Sequence, residues 1–174
     1  MKKSTNRLPE YDYSQPSGYF ITLVTRERKS LFGGLGGESM KLSPTGEIVR
    51  SAWLRTAELR PDITLDEYVI MPNHFHAILF IEELFLIPKP KVAHRSAQLR
   101  RQPRSLGAIV AGFKSSASRA AKQSLWQRNY YDRIIRDEEE LNRIRNHIIY
   151  NPSLLSESRS EIWKNANHPS VRPK

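Results

Sequence analysis

The sequence predicts an α+β protein in which helices pack on an antiparallel sheet. Two strand-like segments, residues 63–70 and 74–81, are separated only by a short turn. Such a connection joins antiparallel strands, because parallel strands need a long crossover. Three other segments carry apolar residues at helical spacing, and the strands alternate only loosely between apolar and polar residues. An antiparallel sheet with packed helices explains this order better than a doubly wound parallel sheet.

Four segments are predicted as strands because they combine apolar, β-branched and aromatic residues. They are residues 18–25, 63–70, 74–81 and 126–135. Residues 31–37 contain four glycines and are predicted as a loop, which leads to a short strand at 40–42. Turns are expected at 43–46 and at 72–73, where a proline sets φ and an asparagine can cap the turn.

Three segments are predicted as helices. The first spans residues 47–59. The second begins at Ser105 and has an apolar stripe that would face the core. The third is capped by Asp137 and has three glutamates in its first turn, where the helix dipole favours negative charge. We expect it to stop before Pro152, because a residue that precedes proline is pushed away from helical geometry.

The composition is that of one globular domain over residues 1–174, with tails at 1–15 and 153–174. No apolar run approaches the ~18 residues of a membrane span. The basic start of the chain is not followed by the apolar segment of a signal peptide. Cysteine is absent, so disulfides and thiolate metal sites are excluded. We therefore expect a cytoplasmic protein with no membrane partner.

The excess positive charge of the chain is confined to one segment. The sequence has 28 Lys and Arg against 18 Asp and Glu, a net charge of +10. Residues 84–131 contain ten basic residues and no acidic one, and the charges of the remaining residues cancel. A proline-bearing basic loop at 86–104 lies within this segment. The pattern is typical of a protein that binds nucleic acid, and the alternative is a solvated basic loop.

The pattern that points most directly to chemistry lies within residues 68–80. His74 and His76 stand two residues apart in a predicted strand, directly after the turn at 72–73. Successive side chains of a strand point to opposite faces, so both imidazoles share one face. Two aligned imidazoles can hold a divalent ion that polarises a phosphate or a carbonyl. The alternative is a pair of histidines on the solvated face of a half-buried strand.

The end of the last predicted helix offers further candidates. His147 and Asn151 are four residues apart and therefore share one face of the last turn, with Tyr150 beside them. If this turn packs over the strand of His74 and His76, it supplies one more ligand and a nucleophile. The alternative for Asn151 is a plain C-terminal helix stop.

Six sequence blocks, in this order and spacing, are shared with a known family. They are YDYSQP at 11–16, GEIV at 46–49, MPNHFH at 71–76, SLGAIV at 105–110, LWQRNYYD at 125–132 and RIR at 143–145. With them the chain resembles, over nearly its whole length, the HUH single-strand transposases of the insertion-sequence type. Within that group the resemblance is to the REP-associated tyrosine transposases.

The resemblance implies a ferredoxin-like α+β fold, the HUH endonuclease fold, with His74 and His76 on a central strand. It implies an Mg²⁺ or Mn²⁺ ion on these histidines, with Asn151 as a third ligand. In the family, a tyrosine one turn before this ligand attacks a phosphate of single-stranded DNA, forms a 5′-phosphotyrosine link and frees a 3′-OH. The implied partner is single-stranded or hairpin DNA from a palindromic repeat. A nucleoid-associated location follows, and a homodimer is one expected state because relatives include dimers and monomers.

The chain departs from the family where the tyrosine would stand, because position 147 is a histidine. Three interpretations stay open. Tyr150 is a relocated nucleophile, His147 attacks the phosphate itself, or the protein binds hairpin DNA without cutting it. We therefore expect a metal-dependent nicking and joining enzyme, with a domesticated hairpin-binding protein that has lost cleavage as the alternative.

Basic side chains are expected to bind the DNA backbone and to supply affinity that does not depend on sequence. These are Lys114, Arg119, Lys122, Arg128 and Arg133. Relatives often carry a histidine where Arg133 stands, and an arginine keeps only the capacity to bind phosphate, not to transfer a proton near neutral pH. Trp126, Tyr130 or Tyr131 would stack on unpaired bases, unless these aromatic residues belong to the core.

Overall fold

The computed structural model describes residues 10–36, 39–83 and 104–154. The strands of these residues are β1 Ser17–Val24, β2 Gly33–Gly36, β3 Ser39–Leu42, β4 Ile63–Met71, β5 His74–Ile81 and β6 Tyr131–Ile135. The helices are α1 Pro44–Glu58, α2 Leu106–Ala120 and α3 Glu138–Leu154, and a 3₁₀ turn at Arg26–Arg28 follows β1. No helix in the described part of the chain is both long and apolar enough to cross a membrane.

Four strands form one antiparallel sheet in the order β4-β5-β1-β6. Helix α1 lies between β1 and β4 in the chain, and α2 lies between β5 and β6, which gives the β-α-β-β-α-β order of a ferredoxin-like fold. The β2–β3 hairpin is inserted before α1, and α3 is added at the end. The predicted α+β class with an antiparallel sheet and packed helices is confirmed.

The two faces of the sheet are covered by different helices. On one face, the rings of Trp53 in α1 and Phe113 in α2 pack against Phe75 of β5, with centroids 5.1 and 5.3 Å away. On the other face, Ile78 of β5 packs with Ile148 and neighbouring apolar residues of α3. Because β5 lies between β4 and β1, its alternate residues serve both cores.

Helix α1 begins three residues earlier than predicted, at Pro44, and Ser43 caps it. The Ser43 hydroxyl accepts a hydrogen bond from the Gly46 amide at 3.1 Å and donates to the Leu31 carbonyl at 2.7 Å. A Cβ atom on Gly46 would lie 2.2 Å from the carbonyl oxygen of Phe32. Glycine at this position therefore lets the start of α1 approach the segment before β2.

The prediction of a loop throughout residues 31–37 was wrong, because Gly33–Gly36 forms β2. This strand pairs antiparallel with β3, with Gly33 opposite Leu42. Gly33 has a φ of +135°, and a Cβ atom there would lie 2.1 Å from the Lys41 carbonyl oxygen. Pairing with β3 thus outweighs the low strand propensity of glycine, and one of the glycines is required by its backbone geometry.

The predicted strand at 126–135 is too long. Only Tyr131–Ile135 pairs with β1, and Trp126 forms a single bridge with Thr25. The carbonyls of residues 127–129 instead accept hydrogen bonds from the ammonium group of Lys114 on α2. These carbonyls therefore turn towards a helix rather than a neighbouring strand.

The prediction that the last helix stops before Pro152 was also wrong, because α3 continues to Leu154. A proline lacks one backbone N–H, and in the last turn of a helix this removes only one hydrogen bond. Asn151 is therefore a residue within α3 rather than its stop.

Parts of the predicted tails and basic loop lie outside the described residues. These parts are residues 1–9, 84–103 and 155–174. Of the loop at 86–104 only Arg104 is described, and it lies 3.8 Å from the Asp62 carboxylate. Within the predicted N-terminal tail, Tyr11 and Tyr13 pack against the core that contains Tyr19.

Candidate metal centre and DNA-binding surface

The imidazoles of His74 and His76 lie together on the face of β5 that α3 covers. Their ring centroids are 4.7 Å apart, while Phe75 between them is buried in the opposite core. His76 is only 2% exposed and stacks on Phe20 of β1 at 5.4 Å. Because alternate residues of β5 share one face, the two rings lie together at the end of the sheet next to the β4–β5 turn.

Helix α3 brings further side chains to the pair. The His147 ring lies 5.5 Å from that of His76 and edge-on to Phe20 at 6.4 Å. One turn later, Asn151 Nδ2 lies 3.3 Å from His147 Nε2. The end of α3 therefore packs over β5, and a histidine occupies the place beside the pair where the family resemblance expects a tyrosine.

Asn73 fixes the orientation of the His74 ring. Its Nδ2 donates to the Arg28 carbonyl at 3.4 Å, which leaves Oδ1 to accept from His74 Nδ1 at 2.8 Å. The proton of His74 is therefore on Nδ1, and Nε2 keeps the lone pair that a metal ion needs. His76 Nδ1 lies 2.8 Å from the Thr22 hydroxyl, which can donate or accept.

The three imidazoles are mainly neutral at pH 7. Burial lowers the pKa of His74 to about 4, with smaller contributions from the protonated form of His147 and from the positive charge of Arg28. Burial also lowers the pKa of His76 well below its usual value, with smaller contributions from the other two histidines. The pKa of His147 is lowered by burial as well. Neutral imidazole is the form that binds metal ions.

The donor set fits a divalent ion only in part. In residues 10–36, 39–83 and 104–154, no group of three or more His, Cys, Asp or Glu side chains is arranged to hold a metal ion. His74 and His76 offer two nitrogen donors, and His147 is a neighbour that does not complete such a group. A third donor for an ion at this pair would have to come from another residue type, and the Asn151 amide lies beside His147.

Tyr150 lies on a different side of α3 from the histidine cluster, defined as His74, His76 and His147. Its side chain is 59% exposed, whereas His147 packs against Phe20. His147 and Tyr150 are three residues apart, so their side chains point in directions roughly 60° apart around the helix axis. Tyr150 is therefore accessible to a large substrate.

The five basic side chains predicted to bind DNA differ in their exposure and in the contacts they make within the protein. The Lys114 ammonium donates to the carbonyls of residues 127–129, and Arg133 pairs with the buried carboxylate of Glu140. The other three side chains are exposed: Arg119, Lys122 and Arg128. Of the five, Arg133 lies directly opposite Phe20 in the β1–β6 register, on the face of the sheet that carries the histidine cluster.

Among the three candidate base-stacking aromatics, Trp126 belongs to the core. It is 7% exposed, and its ring lies 5.1 Å from that of Phe32 and 5.7 Å from that of Phe113. Tyr130 is partly buried against the same core. Tyr131 is 46% exposed and is the one of the three with a substantial accessible surface.

Neither Thr22 nor Asn73 was predicted to orient the histidines. Thr22 and His76 are directly opposite each other in the β1–β5 register, which no local pattern reveals. Asn73 had a visible signal, because it was expected in the turn directly before His74. Its bond to the imidazole depends on the Arg28 carbonyl, which comes from a distant segment.

Sequence and structure comparisons identify relatives of this chain. No protein-family model matches the chain. An uncharacterised protein of Haemophilus influenzae is 35% identical over 156 residues, which cover 85% of this chain and 87% of that protein. A second protein of that organism, named "Putative REP-associated tyrosine transposase", is 26% identical over 141 residues, covering 81% and 73%.

A solved structure has the same fold. It is that of a REP-associated tyrosine transposase bound to a REP hairpin, with a TM-score of 0.58 and 17% identity. The match covers 86% of this chain and 72% of that one. At this identity the likeness establishes the fold.

Proposed function

We propose that this chain is a transposase of the REP-associated tyrosine type, which binds hairpin-forming single-stranded DNA and nicks and rejoins it at a metal site on β5. The observation that carries this proposal is the meeting of His74, His76 and the end of α3 on one face of the sheet. The solved relative is bound to a REP hairpin, and we assign the same class of ligand to this chain.

His74 and His76 would hold a divalent ion through ring nitrogens, with Asn151 as the third donor. The Asn151 Nδ2 atom is in contact with His147, which leaves Oδ1 as the donor atom. Of the two ions expected, this nitrogen-rich set favours Mn²⁺ over Mg²⁺, since Mg²⁺ prefers oxygen ligands. A bound ion would neutralise charge on the scissile phosphate and help to orient it for in-line attack.

Tyr150 is the proposed nucleophile, because its phenol is exposed one residue before Asn151. The phenol oxygen forms a bond to phosphorus while the bond from phosphorus to the 3′ oxygen breaks. The proton that the phenol loses is balanced by the proton that the leaving 3′ oxygen gains. The products are a 5′-phosphotyrosine and a free 3′-OH, and reversal of the same step joins two ends.

DNA binding without cleavage is the second candidate function. It is favoured by the packing of His147 against His76 and Phe20 at the place where the family carries its tyrosine. A neutral imidazole in that position adds to a binding surface without supplying a phenol. The exposure of Tyr150 thus supports cleavage, whereas the packing of His147 supports binding without cleavage.

One experiment separates the two candidates. The protein is incubated with Mn²⁺ and a single-stranded oligonucleotide that carries a palindrome with flanking bases, and adducts are analysed on a denaturing gel and by intact mass. Tyr150→Phe removes only the hydroxyl, and His147→Ala removes the imidazole. Tyr131→Phe is the matched control, because Tyr131 is also an exposed tyrosine.

We expect an adduct that forms in the unmodified protein and in Tyr131→Phe but not in Tyr150→Phe. An adduct lost only in His147→Ala would assign the attack to the histidine. Binding of the hairpin without any adduct would establish the binding-only function. A protein that neither binds nor cuts the oligonucleotide would refute both candidates.

A further inference from the structure

We infer that Arg28 is a phosphate-binding residue for the DNA strand that lies at the histidine cluster. This inference rests on the proposed function, because it names the part of the same site that holds the DNA backbone. Arg28 lies outside the set of cations that the sequence suggested, and it belongs to the 3₁₀ turn Arg26–Arg28 directly after β1.

The turn that carries Arg28 is fixed to the β4–β5 connection that precedes the histidines. The Thr25 amide donates to the Asn73 carbonyl at 3.0 Å, and the Thr25 hydroxyl lies 2.8 Å from the Lys29 carbonyl and 3.0 Å from that of Asn73. The Asn73 side chain links the Arg28 carbonyl to His74 Nδ1. A single asparagine therefore sets the position of both the turn and the imidazole.

The only acidic residue of the turn Arg26–Arg28, Glu27, forms ion pairs with residues other than Arg28. Glu27 pairs with Lys29 at 2.7 Å and approaches Arg26 at 3.6 Å. In the described part of the chain, no carboxylate pairs with Arg28, whose side chain is exposed. An exposed guanidinium with no carboxylate partner can bind a phosphate through two N–H groups.

The backbone of the turn supports a specific role for this residue. Glu27 and Arg28 have φ values of 57° and 56°, which is the left-handed region that residues other than glycine rarely adopt. Two such residues in succession give this turn a backbone path that an ordinary extended or helical segment does not have. Such local backbone strain is often found at functional sites.

Arg28 is also close enough to His74 to act on its electrostatics. Its charge is one of the causes that lower the pKa of His74, after burial and His147. By contrast, Arg133 pairs with Glu140, and the Lys114 ammonium donates to main-chain carbonyls. Arg28 is therefore an exposed cation beside the cluster that no carboxylate of the described residues neutralises.

The inference can be tested by measuring how binding of a labelled hairpin oligonucleotide depends on salt. Fluorescence anisotropy is recorded over a range of NaCl concentrations for the unmodified protein, Arg28→Gln and Arg28→Lys. The matched control is Arg50→Gln, which removes the same charge from an exposed arginine on α1, across the sheet. Each protein is also titrated with oligonucleotides that carry one neutral methylphosphonate at successive positions.

We expect Arg28→Gln to bind about threefold to tenfold more weakly and to lower the slope of log affinity against log salt by about 0.7, the value for one contact with single-stranded DNA. Arg28→Lys should keep the slope, and Arg50→Gln should match the unmodified protein. One methylphosphonate position should weaken binding by the unmodified protein and leave binding by Arg28→Gln unchanged.

Two results would overturn the inference in different ways. If the unmodified protein binds the hairpin but Arg28→Gln has the same affinity and salt slope, Arg28 does not bind phosphate and the proposed function stands. If methylphosphonates weaken both proteins equally at every position, the inference also fails. If the unmodified protein does not bind the hairpin at all, the proposed function itself fails.

Discussion

The guanidinium of Arg145 on α3 binds the carboxylate of Asp66 on β4, 79 residues earlier in the chain. Arg145 Nε lies 3.1 Å from Oδ1 and 3.2 Å from Oδ2, and a terminal nitrogen also donates to Oδ2. The Asp66 side chain is only 14% exposed. This ion pair ties the middle of α3 to the sheet two residues before His147, so it holds the end of α3 over β5.

Replacing Asp66 with Asn should destabilise the protein by about 1–2 kcal/mol at pH 7, since a charge-assisted pair with a partly exposed arginine lies between surface and buried pairs. Glu58→Gln is the control, because Glu58 is an exposed glutamate on α1, across the sheet from the pair. Urea unfolding measures both. Equal stability of the two variants would show that the pair contributes nothing.

The contribution of this pair should disappear in acid. Burial alone would raise the pKa of Asp66, but hydrogen bonds from Arg145 and from the Glu67 amide, with the charge of Arg145, lower it overall. The stabilisation is therefore complete above the unfolded value of about 3.9 and is lost as the pH falls through the lower folded value. The difference in unfolding free energy between the unmodified protein and Asp66→Asn should shrink in that range. A difference that stays constant down to pH 2 would contradict the assignment.

Gly46→Ala should destabilise the protein by about 2–4 kcal/mol, because the new Cβ would lie 2.2 Å from the Phe32 carbonyl oxygen and one side must shift. Gly112→Ala is the matched control in α2, where nothing lies within 4 Å of the added atom. There the same change should stabilise by about 0.5–1 kcal/mol. Thermal or urea unfolding distinguishes the two, and equal effects would refute the close approach at Gly46.

Asn73→Ala should weaken Mn²⁺ binding by about tenfold to a hundredfold, because the hydrogen bond that orients the His74 ring is lost. Asn146→Ala is the control, since Asn146 is exposed on α3. Isothermal titration with Mn²⁺ gives both affinities. His74→Ala should abolish binding, and Mn²⁺ affinity that survives in this variant would place the ion elsewhere.

His147→Tyr should restore a phenol at the position where the family carries one. The new side chain would replace a ring that lies 5.5 Å from His76, and we expect a covalent DNA adduct on residue 147. His147→Phe is the matched control, because it has the same ring without the hydroxyl. Peptide mapping of the adduct locates the linkage. An adduct on Tyr150 in both variants would show that the native nucleophile is Tyr150 and that residue 147 does not compete.

The sequence predicted what depends on local pattern and missed what depends on distant contacts. The placement of His74 and His76 on one face follows from the two-residue period of a strand, so it could be read directly. The contact between His147 and His76 joins segments more than 70 positions apart, and only the packing of α3 creates it. The left-handed backbone at Arg28 was missed because no glycine or asparagine signals it.

Two incorrect predictions of secondary structure also arise from contacts that a local pattern does not show. Aromatic and β-branched composition predicted a strand from Trp126 onwards, but the Lys114 ammonium holds the carbonyls of residues 127–129 away from the sheet. Glycine content predicted a loop before β3, but hydrogen bonding to that strand decided the structure. In both cases a hydrogen-bonding partner outside the segment outweighed the local propensity of its residues.

The alternation of β5 limits how this protein can change over evolution. One strand places two imidazoles on one face and core packing on the other, so inserting or deleting a single residue would carry Phe75 towards α3 and the imidazoles into the layer of Trp53 and Phe113. Length changes within this strand can be tolerated only in pairs. Substitutions, rather than insertions, are therefore the route by which related sites on this strand can diverge.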